Sequence, residues 1–121
     1  MQVMTLSNGS NLPNNYMGII LYDIQRDGCL NGVYTNLGIH GEVFNEVCRK
    51  QKGQPQGLCG RYDCMWFDLN NERISDRELN VTPRINAPGI FEFEWVVGGK
   101  VNFVGIGYQM NYKQIALTYW V

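Results

Sequence analysis

The sequence predicts an all-β domain over residues 1–121, an antiparallel up-and-down β-barrel of about seven to eight strands. Alternating apolar runs recur along the chain, glycine- or asparagine-bearing turn clusters separate them, and one short segment alone offers helical spacing. Fourteen glycines suit such a domain, with its many turns and a strongly curved sheet.

The clearest run is the last third. Phe91, Phe93 and Trp95 alternate with Glu92 and Glu94, the period of a strand with one buried face. Gly98-Gly99 marks a hairpin, Val101 to Met110 forms its return strand, and Gln114 to Val121 follows a polar break at Asn111-Tyr112-Lys113. A two-residue Gly98-Gly99 turn would set Trp95 opposite Asn102 and swing Phe103 to the glutamates' face. A three-residue loop from Val97 to Gly99 pairs Trp95 with Val101 and Phe93 with Phe103 instead. The second register is expected, because it gathers Phe91, Phe93, Trp95, Val101, Phe103, Gly105 and Gly107 inside. On the last strand Trp120 is expected inside, with Ile115, Leu117 and Tyr119 outside.

Upstream, residues 1–8 read as a short first strand, and the turn residues Ser7 to Asn15 follow it. Tyr16 to Gln25 is a strand. Asp27-Gly28 predicts a type I′ turn that sets Arg26 opposite Cys29 and Leu21 opposite Tyr34. Ile19 and Leu21 then share a face with Leu30, Gly32, Tyr34 and Asn36. Glu42 to Arg49 fits either a strand or a short helix. Leu58 to Leu69 is a strand carrying Leu58, Gly60, Tyr62, Cys64 and Trp66 on one side. Glu72 to Ala87 is the most charged stretch; an edge strand around Leu79 to Ile85 is weakened by Pro83.

A formal net charge of -1 gives no electrostatic case for a nucleic-acid or membrane partner, and no run is long and apolar enough to span a bilayer. The start, MQVMTLSNGS, lacks a signal-peptide pattern, so the expectation is a cytoplasmic chain or one whose leader has been removed. With His40 as the single histidine, no Ser-His-Asp or Cys-His set can be assembled, and no enzyme is expected. Glu92 and Glu94 read as solvated outer charges. Cys29, Cys48, Cys59 and Cys64, with His40, match no zinc spacing; they are read as plain thiols, and neither a metal nor a cofactor is assigned.

Set in order, several pieces resemble the avidin and streptavidin family and, more broadly, calycin-type barrels. Asp27-Gly28-Cys29-Leu30-Asn31-Gly32-Val33-Tyr34 is similar to the family's D-G-x-L-T-G-x-Y, and Leu58-Cys59-Gly60-Arg61-Tyr62-Asp63 to its L-T-G-R-Y-D. Gly89 to Trp95, Phe103 to Tyr108 and Leu117 to Val121 follow its final strands in order. The resemblance implies an eight-stranded barrel that closes one end over biotin, a non-catalytic small-molecule binder assembled as dimers or tetramers. It also implies that Tyr34 and Asn36 hydrogen-bond the ureido head, that Trp95, Phe103 and Trp120 line an apolar box, and that Ser10 supplies a hydroxyl from the first loop. Lys100 and Val101 stand where the family has an inner serine and threonine, and the chain stops at Val121, before the family's eighth strand is expected. The alternative function is a protein-interaction module of the inhibitor or immunity type, with a filled barrel. In either case the apolar stripe Ile115, Leu117 and Tyr119 is expected to join subunits into a homo-oligomer.

Overall fold

Eight antiparallel strands, each hydrogen-bonded to its neighbour in sequence, close into a barrel in the computed structural model, which describes residues 17–37, 42–67 and 70–121, with only the backbone of Asp76. They are β1 (Gly18–Ile24), β2 (Leu30–Asn36), β3 (Phe44–Lys50), β4 (Gly60–Phe67), β5 (Arg73–Pro83), β6 (Ile90–Val97), β7 (Lys100–Asn111) and β8 (Gln114–Trp120). Pairing of β1 with β8 completes the ring, from Gly18 opposite Tyr119 to Asp23 opposite Gln114. The antiparallel up-and-down barrel is therefore the fold. Ser10, His40 and the strand expected over residues 1–8 lie outside the described residues.

The missing eighth strand is corrected: the segment that fitted either a strand or a helix and the most charged stretch both form strands. Residues 42–49 yield β3, not a helix, because β2 and β4 flank it and bond both of its edges. The charged stretch yields β5, an interior member eleven residues long. Pro83 ends that strand, where its missing N–H costs the ladder least.

Side-chain facing follows one rule: each inward glycine lies beneath a large inward neighbour. A Cβ on Gly32 would stand 2.6 Å from the Tyr22 ring, and one on Gly107 would stand 2.7 Å from the Leu117 Cβ and 3.1 Å from the Phe93 ring. A Cβ on Gly105 would reach the Trp95 ring at 3.2 Å and the Tyr119 Cβ at 3.4 Å. This rule overturns two expected registers. In β8, Leu117 lies opposite Gly107 and Tyr119 opposite Gly105, so Ile115, Leu117 and Tyr119 are buried inside while Trp120 faces out. In β1, Ile20 and Tyr22 fill the core, and Ile19 and Leu21 are outside.

The β1 inversion has a local cause in its hairpin. The Gln25 N–H donates to the Cys29 carbonyl (2.8 Å) and the Gly28 N–H to the Gln25 carbonyl (3.0 Å), leaving a three-residue loop with Gly28 at φ 88°. Leu21 therefore pairs with Val33, not Tyr34, and a slip of one residue exchanges every face. At the β6–β7 hairpin, a two-residue turn forms at Gly98 and Gly99, both with positive φ, and Val97 pairs with Lys100. A bulge between Trp95 and Val96 then brings Trp95 opposite Phe103, and Phe93 opposite Gly105. The aromatics share the inner face as expected, through a bulge instead of a longer loop, and Val101 is left outside.

One end of the barrel is plugged. The Lys50 Nζ donates to the carbonyls of Pro55 (2.9 Å), Gly57 (2.5 Å) and Cys59 (3.0 Å), and sits 5.0 Å from the centre of the Tyr62 ring. This pulls the β3–β4 loop over the opening and buries Leu58, whose carbonyl accepts the Tyr62 hydroxyl (2.5 Å).

Gly107→Ala is expected to lower stability by about 1–3 kcal/mol, the usual cost of an overpacked core, in urea unfolding. Gly57→Ala meets no neighbouring atom within 4 Å and carries only backbone strain at φ 94°, so it is expected to cost about 1–2 kcal/mol.

Candidate functional site

The barrel's core holds an ionisable centre. Glu46, on β3, is 3% exposed, and both of its oxygens are engaged. The Tyr22 hydroxyl of β1 donates to Oε1 (2.7 Å), and the Trp95 Nε1–H of β6 donates to Oε2 (3.0 Å). Beside it lie the buried thiols Cys48 and Cys64, their sulfurs 2.6 Å apart, and the Cys48 thiol donates to the Tyr22 oxygen at 3.8 Å. One ligating atom from each of Glu46, Cys48 and Cys64 falls within 4.8 Å of the others.

Burial governs the electrostatics of this cluster. It pushes the Glu46 carboxyl above its ordinary 4.5, against the hydrogen bonds from Tyr22 and Trp95 that favour the carboxylate. It also raises the Tyr22 hydroxyl and the Cys48 thiol well above their ordinary values, and pushes the Cys64 thiol up to about 11. At neutral pH the tyrosine and both thiols therefore hold their protons.

Above this layer lies the end opposite the Lys50 plug, where β2, β4, β6 and β8 finish. Trp95 stacks on Phe93 (ring centres 6.0 Å apart) and tilts against Tyr119 (5.8 Å), which meets the edge of Phe103 (5.7 Å). The Asn36 Nδ2 donates to the Tyr119 hydroxyl (2.9 Å), and the Tyr34 hydroxyl donates to the Phe67 carbonyl (3.0 Å). Phe103, Tyr34, Asn36 and Trp66 are half-buried here, and the Arg77 guanidinium lies 5.2 Å from the centre of the Trp66 ring.

Of the residues expected in a pocket, Asn36, Trp95 and Phe103 are thus joined through Tyr119, with Trp95 as the buried floor, while Tyr34 meets the Phe67 carbonyl and the Phe44 ring. Trp120 does not join them. It stands on the outer wall, and Tyr119, expected outside, takes the inner position. Sequence reasoning missed Glu46 altogether. Alternation along β3 puts it on the face of Cys48, but nothing in a strand pattern marks a glutamate as buried. It also missed Arg77, which lay in the charged stretch just ahead of the edge strand considered around Leu79 to Ile85.

Glu46 makes stability depend on pH in a definite direction. Its folded pKa is raised, so the folded state keeps a proton that the unfolded chain releases. That contribution is whole below about pH 4.5 and is lost as pH rises through the folded value. Melting temperature is therefore expected to fall across that interval, and Glu46→Gln, which keeps the shape and an acceptor, should flatten the fall. A second decline should begin near pH 9 and run to about pH 11 as Cys64 titrates. Thermal melts of both proteins from pH 4 to 11 check both slopes.

Compared with protein-family models, with curated proteins and with solved structures, the chain matches none.

Proposed function

We propose that the barrel is a non-catalytic binder of a small, flat, anion-bearing molecule at the end opposite the Lys50 plug, with biotin, a bicycle carrying a carboxylate tail, as the first ligand to try. The observation that carries this reading is Arg77. Its Nε is buried and has no hydrogen-bond partner among the described residues, and its guanidinium lies over the half-buried Trp66. A buried donor left unpaired costs about 1–3 kcal/mol, and a carboxylate offers it a two-point partner. On other strands, toward the end where β2, β4, β6 and β8 finish, Phe103 and Tyr119 present rings, and Tyr34 and Asn36 hold oriented polar groups. Flat heterocycles are held by such a combination of aromatic walls and few oriented polar atoms. The resemblance to the avidin family supports the same end of the barrel.

A second reading, in which the protein acts through its exterior, is favoured by one feature. Across β2, β1, β8 and β7, the outward row Val33, Leu21, Ala116 and Tyr108 lies beside Thr35, Ile19, Thr118 and Ile106, bordering an open apolar groove of about 690 Å³. Exposed apolar faces of this kind mark association sites. Subunit pairing is therefore assigned to this wall, in place of the buried Ile115, Leu117 and Tyr119.

Titration calorimetry with biotin, then a thermal-shift series of carboxylate-bearing heterocycles, tests the first reading. Arg77→Gln is expected to weaken any binder at least tenfold and to spare the fold, whereas Trp95→Ala, a floor residue, should cost about 3–5 kcal/mol of stability. A folded protein that answers none of these molecules would sink the pocket. For the wall, sedimentation should find dimers or larger species at micromolar concentration, and Leu21→Lys should return them to monomers. Monomers in both proteins would leave the wall a plain solvated surface.

A further inference from the structure

We propose that Cys48 and Cys64 are a covalent modification site: under oxidising conditions they form a disulfide that staples β3 to β4 inside the barrel. The two residues face each other directly across the β3–β4 ladder. Opposed residues of an antiparallel pair have Cα atoms about 4.5–5.5 Å apart, within the roughly 4.4–6.8 Å that a disulfide spans. Both side chains point inward and are buried, and their sulfurs stand 2.6 Å apart. Unbonded heavy atoms pack at about 3.5–4 Å, so two intact thiols at this site crowd one another, and a bond relieves the crowding without moving either strand.

The surroundings favour the bond over a metal ion. A tetrahedral zinc with bonds of about 2.3 Å would spread two thiolates to roughly 3.7 Å and bury three anionic ligands against Tyr22 and Trp95. The disulfide is neutral, adds no atom, and leaves Glu46 with both of its donors.

The oxidant required is a low-molecular-weight disulfide, RSSR. The Cys48 thiol loses its proton to solvent, and its sulfur attacks RSSR, expelling one RS⁻ and forming a mixed disulfide. The Cys64 sulfur, deprotonated in turn, attacks the Cys48 sulfur, closes the Cys48–Cys64 bond and expels the second RS⁻. Two protons and two electrons leave the protein, and two RSH form. Because only thiolates attack, burial makes the exchange slow in the closed barrel and rapid while β3 and β4 are still pairing.

The full chain, reduced and unfolded, is refolded with oxidised glutathione, then alkylated in denaturant and mapped by mass spectrometry. The expected result is alkylation at Cys29 and Cys59 only, a peptide cross-link between Cys48 and Cys64, and a mass lower by two hydrogens than the reduced chain. The oxidised protein should melt about 10 °C above the reduced one, a difference that dithiothreitol removes. A Cys29→Ser, Cys59→Ser double variant, altered outside the core, should keep both the cross-link and the shift. Alkylation of Cys48 and Cys64 in the refolded protein would overturn the proposal. So would cross-links that run to Cys29 or Cys59, or zinc retained at one equivalent that shields the pair from oxidised glutathione.

Discussion

A single carboxylate, taken out of water at the middle of the barrel, organises everything around it. Glu46 reaches from β3 to accept a hydrogen bond from β1 through Tyr22 and another from β6 through Trp95, joining strands that share no ladder. Backbone bonds fix neighbours around a ring, but they say nothing about how opposite walls meet. Glu46 does. It fixes the Trp95 ring, which in turn positions Phe93 and Tyr119, so the aromatic floor of the upper end depends on a charge-bearing group below it. Removing that group would strand two buried donors at about 1–3 kcal/mol each.

The second constraint is geometric. A small barrel must fill its own interior, and here glycines on the inner face make room for rings from across and beside them. Tyr22 over Gly32 and Leu117 over Gly107 are the same device used twice. The Lys50 cage adds polarity of a different kind: by satisfying three loop carbonyls with one ammonium, it seals one end. Among the described residues the two ends of the barrel thus differ in chemistry, and aromatic and amide groups collect at the end opposite that cage.

Much of this was legible in the chain itself. The β6–β7 hairpin declared its inner aromatics through strict alternation with glutamates, and the Gly98-Gly99 turn declared its position. Facing was harder, because β1 and β8 are apolar on both sides: Ile19 and Leu21 outside, Ile20 and Tyr22 inside. Alternation cannot choose between two apolar faces, and a single residue in the Asp27-Gly28 loop decided the matter. The inner glycines held the missing information, since the strand opposite Gly105 and Gly107 must turn its larger residues toward them. Glu46 and Arg77 were illegible for another reason. Their burial depends on partners from β1, β4 and β6, which are contacts between distant parts of the chain.

The closure of the ring carries a kinetic meaning. Seven of the eight interfaces join strands adjacent in sequence, each formed by a hairpin-like return, whereas the β1–β8 ladder joins the two ends of the barrel sequence, and across it the Thr118 hydroxyl donates to the Gly18 carbonyl over a separation of 100 residues. Local pairings lose little chain entropy and zip early; the seam must wait until the whole sheet has curled far enough to meet itself. Folding is therefore a race with one slow finish, and until that finish β1 and β8 lack each other as ladder partners. Amide exchange should find its least protected ladder along that seam, where the barrel parts first when it breathes.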